Sequence, residues 1–224
     1  MGPAIGDVLP LAVVVALSPI PIIALILMLF TDRARPNSTA FTLGWIAGIV
    51  AVSVVVLVIA SGQDLSTGGE PSAAVSWIKV ALGLLMLLVA AKQWKSRPGP
   101  GADPRMPGWM TRIDTMKPLA ALGLGVVLSG LNPKNLLLVL SAGVTIAQAE
   151  LSMGHEAITI GVFTLVAAST VIVPTVAFLV AGQRVQPTLD HAKEWLGVHN
   201  SALMSVLLLV IGVSLVGKGL GAVL

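Results

Sequence analysis

Long apolar stretches separated by short polar connections dominate the chain. Six such stretches can be marked, at about residues 8–30, 40–61, 74–94, 118–147, 157–182 and 201–222. A helix needs about 20 predominantly apolar residues to cross the hydrocarbon core of a bilayer, and each stretch meets that length. The pattern therefore predicts an all-α integral membrane protein with six transmembrane helices.

Composition indicates the same class of protein and excludes several others. The 224 residues are 56% hydrophobic and only 10% charged, with a mean hydropathy of +0.97, whereas a soluble domain carries about 25% charged residues. No segment remains for a water-soluble catalytic domain, so we expect no enzyme. The absence of cysteine excludes disulfides, thiol redox chemistry and cysteine-ligated metals. The histidines fall in connections on two opposite faces, so we expect no metal site and no cofactor.

Basic residues fall on alternate connections. All but three of the 13 Lys and Arg residues lie in or around the first, third and fifth connections, the exceptions being Lys79, Lys134 and Lys218. Cytoplasmic loops carry an excess of Lys and Arg, so we expect those connections in the cytoplasm and both termini outside a plasma (inner) membrane. This topology also explains the net charge of +3, and we expect no nucleic-acid partner. No Lys or Arg precedes the first stretch, so it is interpreted as a span and not as a signal peptide.

The third connection divides the chain into two halves. It is basic and rich in proline and glycine, which is typical of a linker. The predicted organisation is a first three-helix repeat over 1–95, a cytoplasmic linker over 96–117 and a second three-helix repeat over 118–224. A docking site for anionic lipid head groups is an alternative role for the linker.

The two halves share a sequence pattern. Residues 15–29 (VALSPIPIIALILML) and 126–140 (VVLSGLNPKNLLLVL) both place Leu-Ser before a proline and continue in aliphatic residues. Because each half has three helices, the second half enters the membrane from the opposite side and the repeats are expected to be inverted. Inverted repeats whose broken helices bind substrate near the midplane are typical of secondary transporters.

Proline motifs within the first and fourth spans indicate where such a site would lie. Proline lacks an N–H and disrupts the preceding helical turn, and backbone freed inside a bilayer must find other partners. Unwound backbone at these depths can bind a substrate through its amides and carbonyls, or it can be a structural kink packed against neighbours. The candidate substrate-binding residues around both motifs, apart from one lysine, are Ser18, Pro19, Pro21, Ser129, Asn132, Pro133 and Asn135.

Lys134 is the most informative of the candidate residues. A cation deep in a bilayer is costly and usually faces a cavity, a partner or a substrate. No Asp or Glu lies at a comparable depth in the sequence, so an anionic substrate group is the preferred partner. Snorkelling to the interface and loss of the proton are the alternatives.

Three weaker patterns give further expectations. Residues 183–199 are interpreted either as an interfacial amphipathic helix opened by Pro187 or as a plain cytoplasmic connection. Gly44 and Gly48 form a small-xxx-small pair that predicts close helix packing. Pro174 predicts a kink whose freed carbonyl is satisfied by nearby hydroxyls, those of Ser169, Thr170 and Thr175, with a cavity-lining role as the alternative.

Two motifs carry a resemblance to a known family. Leu17 to Ile22 reads LSPIPI in the first span, and Leu131 to Leu136 reads LNPKNL in the fourth. With six short spans, these motifs resemble the GAP (Sap) family of actinobacterial glycolipid-addressing proteins, a branch of the lysine exporter (LysE) superfamily. The resemblance implies movement of cell-envelope glycolipids across the plasma membrane, with the motif residues as the functional core. Another branch transfers electrons through two membrane cysteines, which this chain lacks.

The favoured function is export of a cell-envelope glycolipid or other anionic lipid by alternating access. Two alternatives remain open: an exporter of a small solute such as an amino acid or a cation, and a non-transporting scaffold of the envelope-lipid machinery. The expected partners are membrane lipids and the lipid substrate, with a homodimer and the lipid-synthesis machinery as further partners to test.

Overall fold

The computed structural model describes residues 1–61, 66–67, 70–71, 73–96 and 108–221, and the helices dominate this part of the chain. The α-helices are α1 (Gly2–Ala16), α2 (Pro19–Leu29), α3 (Ala34–Ser61), α4 (Ala73–Lys95), α5 (Pro118–Val126), α6 (Pro133–Ala147), α7 (Met153–Ala181) and α8 (Gln186–Leu220). Short 3₁₀ segments occur at Gly108–Thr115 and Gly182–Val185, and a π-helical turn occurs at Val127–Leu131. Two-residue strands β1 (Ser66–Thr67) and β2 (Glu70–Pro71) pair antiparallel.

These helices are long enough to cross a membrane at the predicted positions. Four stretches qualify alone, namely Ala34–Ile59, Val75–Lys95, Met153–Leu196 and Ser201–Leu220. The pairs α1 with α2 and α5 with α6 each qualify when a bent pair is counted as one span, which gives up to six spans. The chain is therefore an all-α, multi-pass membrane protein, as the apolar pattern predicts.

Large apolar side chains cover the outside of the bundle. Val55 on α3, Leu88 on α4, Val180 on α7 and Val213 on α8 all expose more than half of their surface. Soluble monomers rarely expose contiguous apolar patches of more than a few hundred Å². A surface of this kind suits contact with lipid tails.

Two helix breaks interrupt the first and fourth spans. The chain bends by 51° between α1 and α2 and by 63° between α5 and α6. Each following helix begins at a proline, Pro19 or Pro133, and proline restricts the residue before it to extended backbone. Ser18 and Asn132 accordingly have ψ values of 109° and 119°. The prediction that spans one and four are broken is confirmed.

The helices of the two halves pack in corresponding pairs. When α1 to α4 are matched in order with α5 to α8, several contacts recur with the halves exchanged. α3 packs on α5, and its counterpart α7 packs on α1; α2 packs on α8, and its counterpart α6 packs on α4. α2 contacts α3 as α6 contacts α7, and the pairs α3 with α7 and α4 with α8 each join the halves. α1 also packs on α6, which brings the first broken span against the second.

Glycine allows the closest of these helix contacts. A Cβ atom on Gly44 would collide with the backbone of α5, and one on Gly48 would collide with Ser129 Oγ. This confirms the close packing predicted for that pair. On α4, a Cβ atom at Gly83 would lie 2.8 Å from the carbonyl oxygen of Gly212 on α8.

The basic connections lie together at one end of the bundle. Asn37 Nδ2, at the start of α3, donates to the carbonyl of Met116 at 3.0 Å, which joins the first connection to the third. Arg35 and Gln183 line one shared depression, which adds the fifth connection. The start of α1 and the end of α8 lie together at the opposite end. Residues 97–107 of the predicted linker lie outside the described residues.

The interpretation of residues 183–199 as a separate interfacial helix is wrong in its extent. α8 runs without interruption from Gln186 to Leu220, so this segment forms the first turns of the last helix, ahead of the candidate span Ser201–Leu220. Leu189 and Leu196 are buried while Trp195 is exposed. Pro187 lies in the first turn, where the missing N–H removes no helical hydrogen bond.

Candidate functional site

The first break leaves the Ser18 hydroxyl available for a neighbouring helix. Ser18 is the N-cap of α2 but makes no side-chain capping bond there. An N-cap hydroxyl normally accepts from the N–H of the second or third helical residue, and Pro21 at the third position has none. Ser18 Oγ instead donates to Asn135 Oδ1 at 2.7 Å.

The second break contains a π-helical turn followed by a capped helix start. Asn132 N donates to the carbonyl of Val127 at 3.0 Å, closing the wide turn. Asn132 Oδ1 accepts from the backbone N of Lys134 at 3.2 Å and so caps α6. Single π turns inside membrane and soluble helices are frequent at functional sites.

Asn135 connects the two breaks. Its Oδ1 accepts from Ser18, and its Nδ2 donates to the carbonyl of Leu128 in the π-helical turn at 2.9 Å. Ser18 and Asn135 are both essentially fully buried. The structure therefore brings residues from both proline motifs into one closed polar centre.

A third helix contributes to this centre, which sequence reasoning missed. Thr170 Oγ1 on α7 donates to the carbonyl of Ala16, which the first break removes from the helical ladder. Ser169 Oγ bonds to Val166 in its own helix, and Thr175 pairs with Thr42 on α3 at 2.9 Å. The expectation that these hydroxyls satisfy the carbonyl freed by Pro174 is therefore wrong. A threonine facing a break on another span is invisible to a local pattern.

Lys134 is buried next to the centre and points toward α8. Its side chain is 8% exposed, and Nζ lies 3.0 Å from the sulfur of Met204. A thioether is a weak acceptor, and among the described residues the salt bridges are Lys193 with Asp190 and Lys218 with Asp7. The ammonium does not reach a polar end of the bundle, so the structure does not show snorkelling.

The start of α6 concentrates positive charge around this lysine. The N-terminus of a helix carries the positive end of the backbone dipole, and Lys134 is the second residue of α6. A cation is unfavourable at that position in a low-dielectric interior unless an anion is close. The arrangement can therefore receive an anionic group.

The other candidate residues have different surroundings. Pro19 and Pro21 are buried in α2, and Ser129 packs on α3 while donating to the carbonyl of Val126 at 3.2 Å. Pro133 is exposed and Asn132 is partly exposed. Pro133 thus does not line the buried centre, because Lys134 and Asn135 occupy the inward-facing positions of the same turn.

An apolar groove lies along the helix that carries Met204, the contact of Lys134. It has a volume of about 410 Å³ and runs between α4 and α8. Leu87 and Trp94 line it on α4, and Ser205 and Leu209 line it on α8. Ser205 follows directly after the methionine that contacts Lys134.

These features define a multi-pass helical membrane protein in which two broken spans meet at a buried polar centre beside a lysine. The family model described as Sap, sulfolipid-1-addressing protein, matches residues 8–221. The chain belongs to the Sap family, which confirms the resemblance drawn from the two motifs. Neither the curated proteins nor the solved structures include a match to the chain. Membership of the lysine exporter superfamily stays a prediction.

Proposed function

We propose that this protein exports an anionic cell-envelope lipid, glycosylated or not, across the plasma membrane by alternating access. The observation that carries the proposal is the Lys134 ammonium, which is buried at the start of α6 and has the Met204 thioether as its one hydrogen-bond partner among the described residues. A buried cation with so weak a partner is costly. An anionic head group would offset that cost.

The family and the groove favour a lipid over a small solute. The family's description names the addressing of a sulfolipid, and a sulfated head group carries the negative charge that Lys134 would receive. The groove between α4 and α8 is lined mainly by apolar side chains, and both helices expose further apolar side chains on the outside of the bundle. A lipid could place its acyl chains there while its head group enters the bundle, whereas an amino acid needs no such lateral route.

Alternating access would use the correspondence between the halves. The matched packing of α1–α4 and α5–α8 supports a pair of inverted repeats. The polar centre is closed in this structure because Ser18 and Asn135 are buried and bonded to each other. Opening toward either face would require this bond to break. The basic connections at one end support a cytoplasmic location for that end.

A complementation experiment tests the proposal. A strain that lacks the protein is complemented with the wild type, with Lys134→Met or with Lys92→Met, and surface and internal lipids are profiled alongside excreted amino acids. Lys92 is exposed near the end of α4 and controls for the loss of one lysine. Methionine keeps the chain length and removes the buried charge, so Lys134→Met should reach the membrane in wild-type amounts.

The outcomes separate the candidate functions. The proposal is supported if the strain without the protein loses one surface lipid and retains that lipid inside the cell. The wild type and Lys92→Met should then restore the surface lipid, and Lys134→Met should not. Normal lipid export by Lys134→Met would refute the role of Lys134. Altered amino-acid efflux with unchanged lipids would favour a solute exporter. No change in surface lipids or in amino-acid efflux when the protein is missing would favour a scaffold.

A further inference from the structure

A second polar cavity lies at the end of the bundle opposite the basic connections. One part of it, about 360 Å³, is lined by Asp7 on α1, Lys79 on α4, and Thr145 and Gln148 on α6. An adjoining part of about 90 Å³ shares Asp7, Lys79 and Thr145 and extends to Lys218 on α8. Helices from both halves of the chain therefore converge on it.

The charges of this cavity are unequal. Among its described lining side chains, the titratable ones are Lys79, Lys218 and Asp7, which sum to one positive charge. Asp7 Oδ1 accepts from Lys218 Nζ at 2.6 Å, and both side chains are about half exposed. Lys79 experiences the charges of both but forms no salt bridge with a described residue. The cavity thus holds a lysine whose charge is not directly paired.

A residue with an unsatisfied amide also lines this cavity. Gln148 lines the larger part of the cavity, and neither its Nε2 nor its Oε1 has a hydrogen-bond partner among the described residues, although both atoms are buried. Buried amide groups are nearly always hydrogen-bonded. The hydroxyl of Thr145 is already used by the carbonyl of Ser141 at 2.8 Å. Within the part of the chain that the structure describes, the lining donors with no partner are therefore the ammonium groups of Lys79 and Met1, the Ser214 hydroxyl and the Gln148 amide.

We infer that this cavity binds an oxyanion, a sulfate or phosphate group, through Lys79 and Gln148. Ammonium and amide donors to a charged oxygen form short, strong hydrogen bonds, and the one carboxylate among the described lining residues, that of Asp7, is paired with Lys218. The group can belong to a lipid head group or to a free anion. If the proposed export function holds, the cavity lies where a head group would arrive after crossing; the binding itself does not depend on that function.

Binding measurements on the purified full-length protein test the inference without any export assay. In the first assay, inorganic sulfate is added to the protein in detergent, and the shift of its melting temperature is measured at each sulfate concentration. In the second, the protein is released from lipid nanodiscs, and native mass spectrometry compares how much phosphatidylglycerol and how much phosphatidylcholine stay bound. The variants are Lys79→Gln, Gln148→Leu and Lys79→Arg. Lys92→Gln is the matched control, because it removes one lysine from the other end of the same helix.

The expected result is about a tenfold loss of affinity in Lys79→Gln, a smaller loss in Gln148→Leu, and retention in Lys79→Arg and Lys92→Gln. If the site variants lose affinity for sulfate alone, the ligand is a free anion, and if they lose affinity for phosphatidylglycerol alone, the ligand is a lipid head group. Loss of affinity for both probes shows that either can enter the cavity. The inference is overturned if the wild type binds neither probe, if both site variants bind as the wild type does, or if Lys92→Gln loses as much. If Lys79→Gln does not fold, Gln148→Leu decides the matter.

Discussion

The hydrogen bond between Ser18 and Asn135 gives the sharpest test of how the two breaks are held together. Replacing Ser18 by alanine removes one oxygen and leaves Asn135 Oδ1 buried without its donor. Leaving a buried polar group unsatisfied costs about 1–3 kcal/mol, and side-chain bonds between membrane helices measure about 0.6 kcal/mol on average with a maximum of about 1.7. We therefore expect the free energy of unfolding to fall by about 1 kcal/mol, a factor of about five in the unfolding equilibrium.

Reversible unfolding in mixed micelles, followed by circular dichroism, measures this change. Ser53→Ala is the matched control, because Ser53 is equally buried but its hydroxyl donates only to the carbonyl of Ile49 in its own helix, at 2.9 Å. That carbonyl keeps its helical partner, so the control should lose only a few tenths of a kcal/mol. The double variant with Asn135→Ala completes a thermodynamic cycle.

The cycle measures the interaction energy between Ser18 and Asn135 separately from the contacts that each makes with other residues. If the bond links the breaks, Ser18→Ala costs less in the Asn135→Ala background than in the wild type, and the coupling is about 1 kcal/mol. Equal effects in both backgrounds would refute the claim that this bond joins the breaks. An equal cost for Ser18→Ala and Ser53→Ala would show that burial of a serine, and not its partner, sets the stability.

Two other contacts give predictions with the same unfolding assay. Gly44→Ala should lower the free energy of unfolding by about 1–3 kcal/mol, because its new methyl group collides with the backbone of α5. Gly161→Ala, with open space around it, should be neutral or stabilise by up to about 1 kcal/mol, and the reverse order would contradict the proposed packing. Thr170→Val, which keeps the shape and removes the donor to the Ala16 carbonyl, should cost about 1–3 kcal/mol; no change would show that the carbonyl has another partner.

The positions of the spans and of both breaks follow from the sequence, because apolar length and proline act locally. A run of about 20 apolar residues has few alternatives to a transmembrane helix, and proline breaks the ladder wherever it stands. The structure of residues 183–199 could not be predicted in the same way. The choice between a separate interfacial helix and an extension of the last helix depends on how Leu189 and Leu196 pack against other helices.

The composition of the site was predictable, but its geometry was not. The motifs single out Ser18, Lys134 and Asn135, yet the direction of each side chain depends on the rotation of α6 against α1 and α8. That rotation turns Pro133 outward and directs Lys134 to Met204. The contribution of Thr170 depends on a partner 154 positions away in the chain.

The two prolines at the start of α2 reduce the ability of this helix start to bind an anion. Pro19 and Pro21 remove two of the first three backbone donors of this helix, so only Ile20 can offer an N–H there. A helix start usually recognises an anion through several such donors. The first half of the molecule therefore presents a start that is poor in donors, while the second half carries a full charge on Lys134. At the two breaks, the fixed positive charge therefore comes from the second half, although both helices begin at a proline.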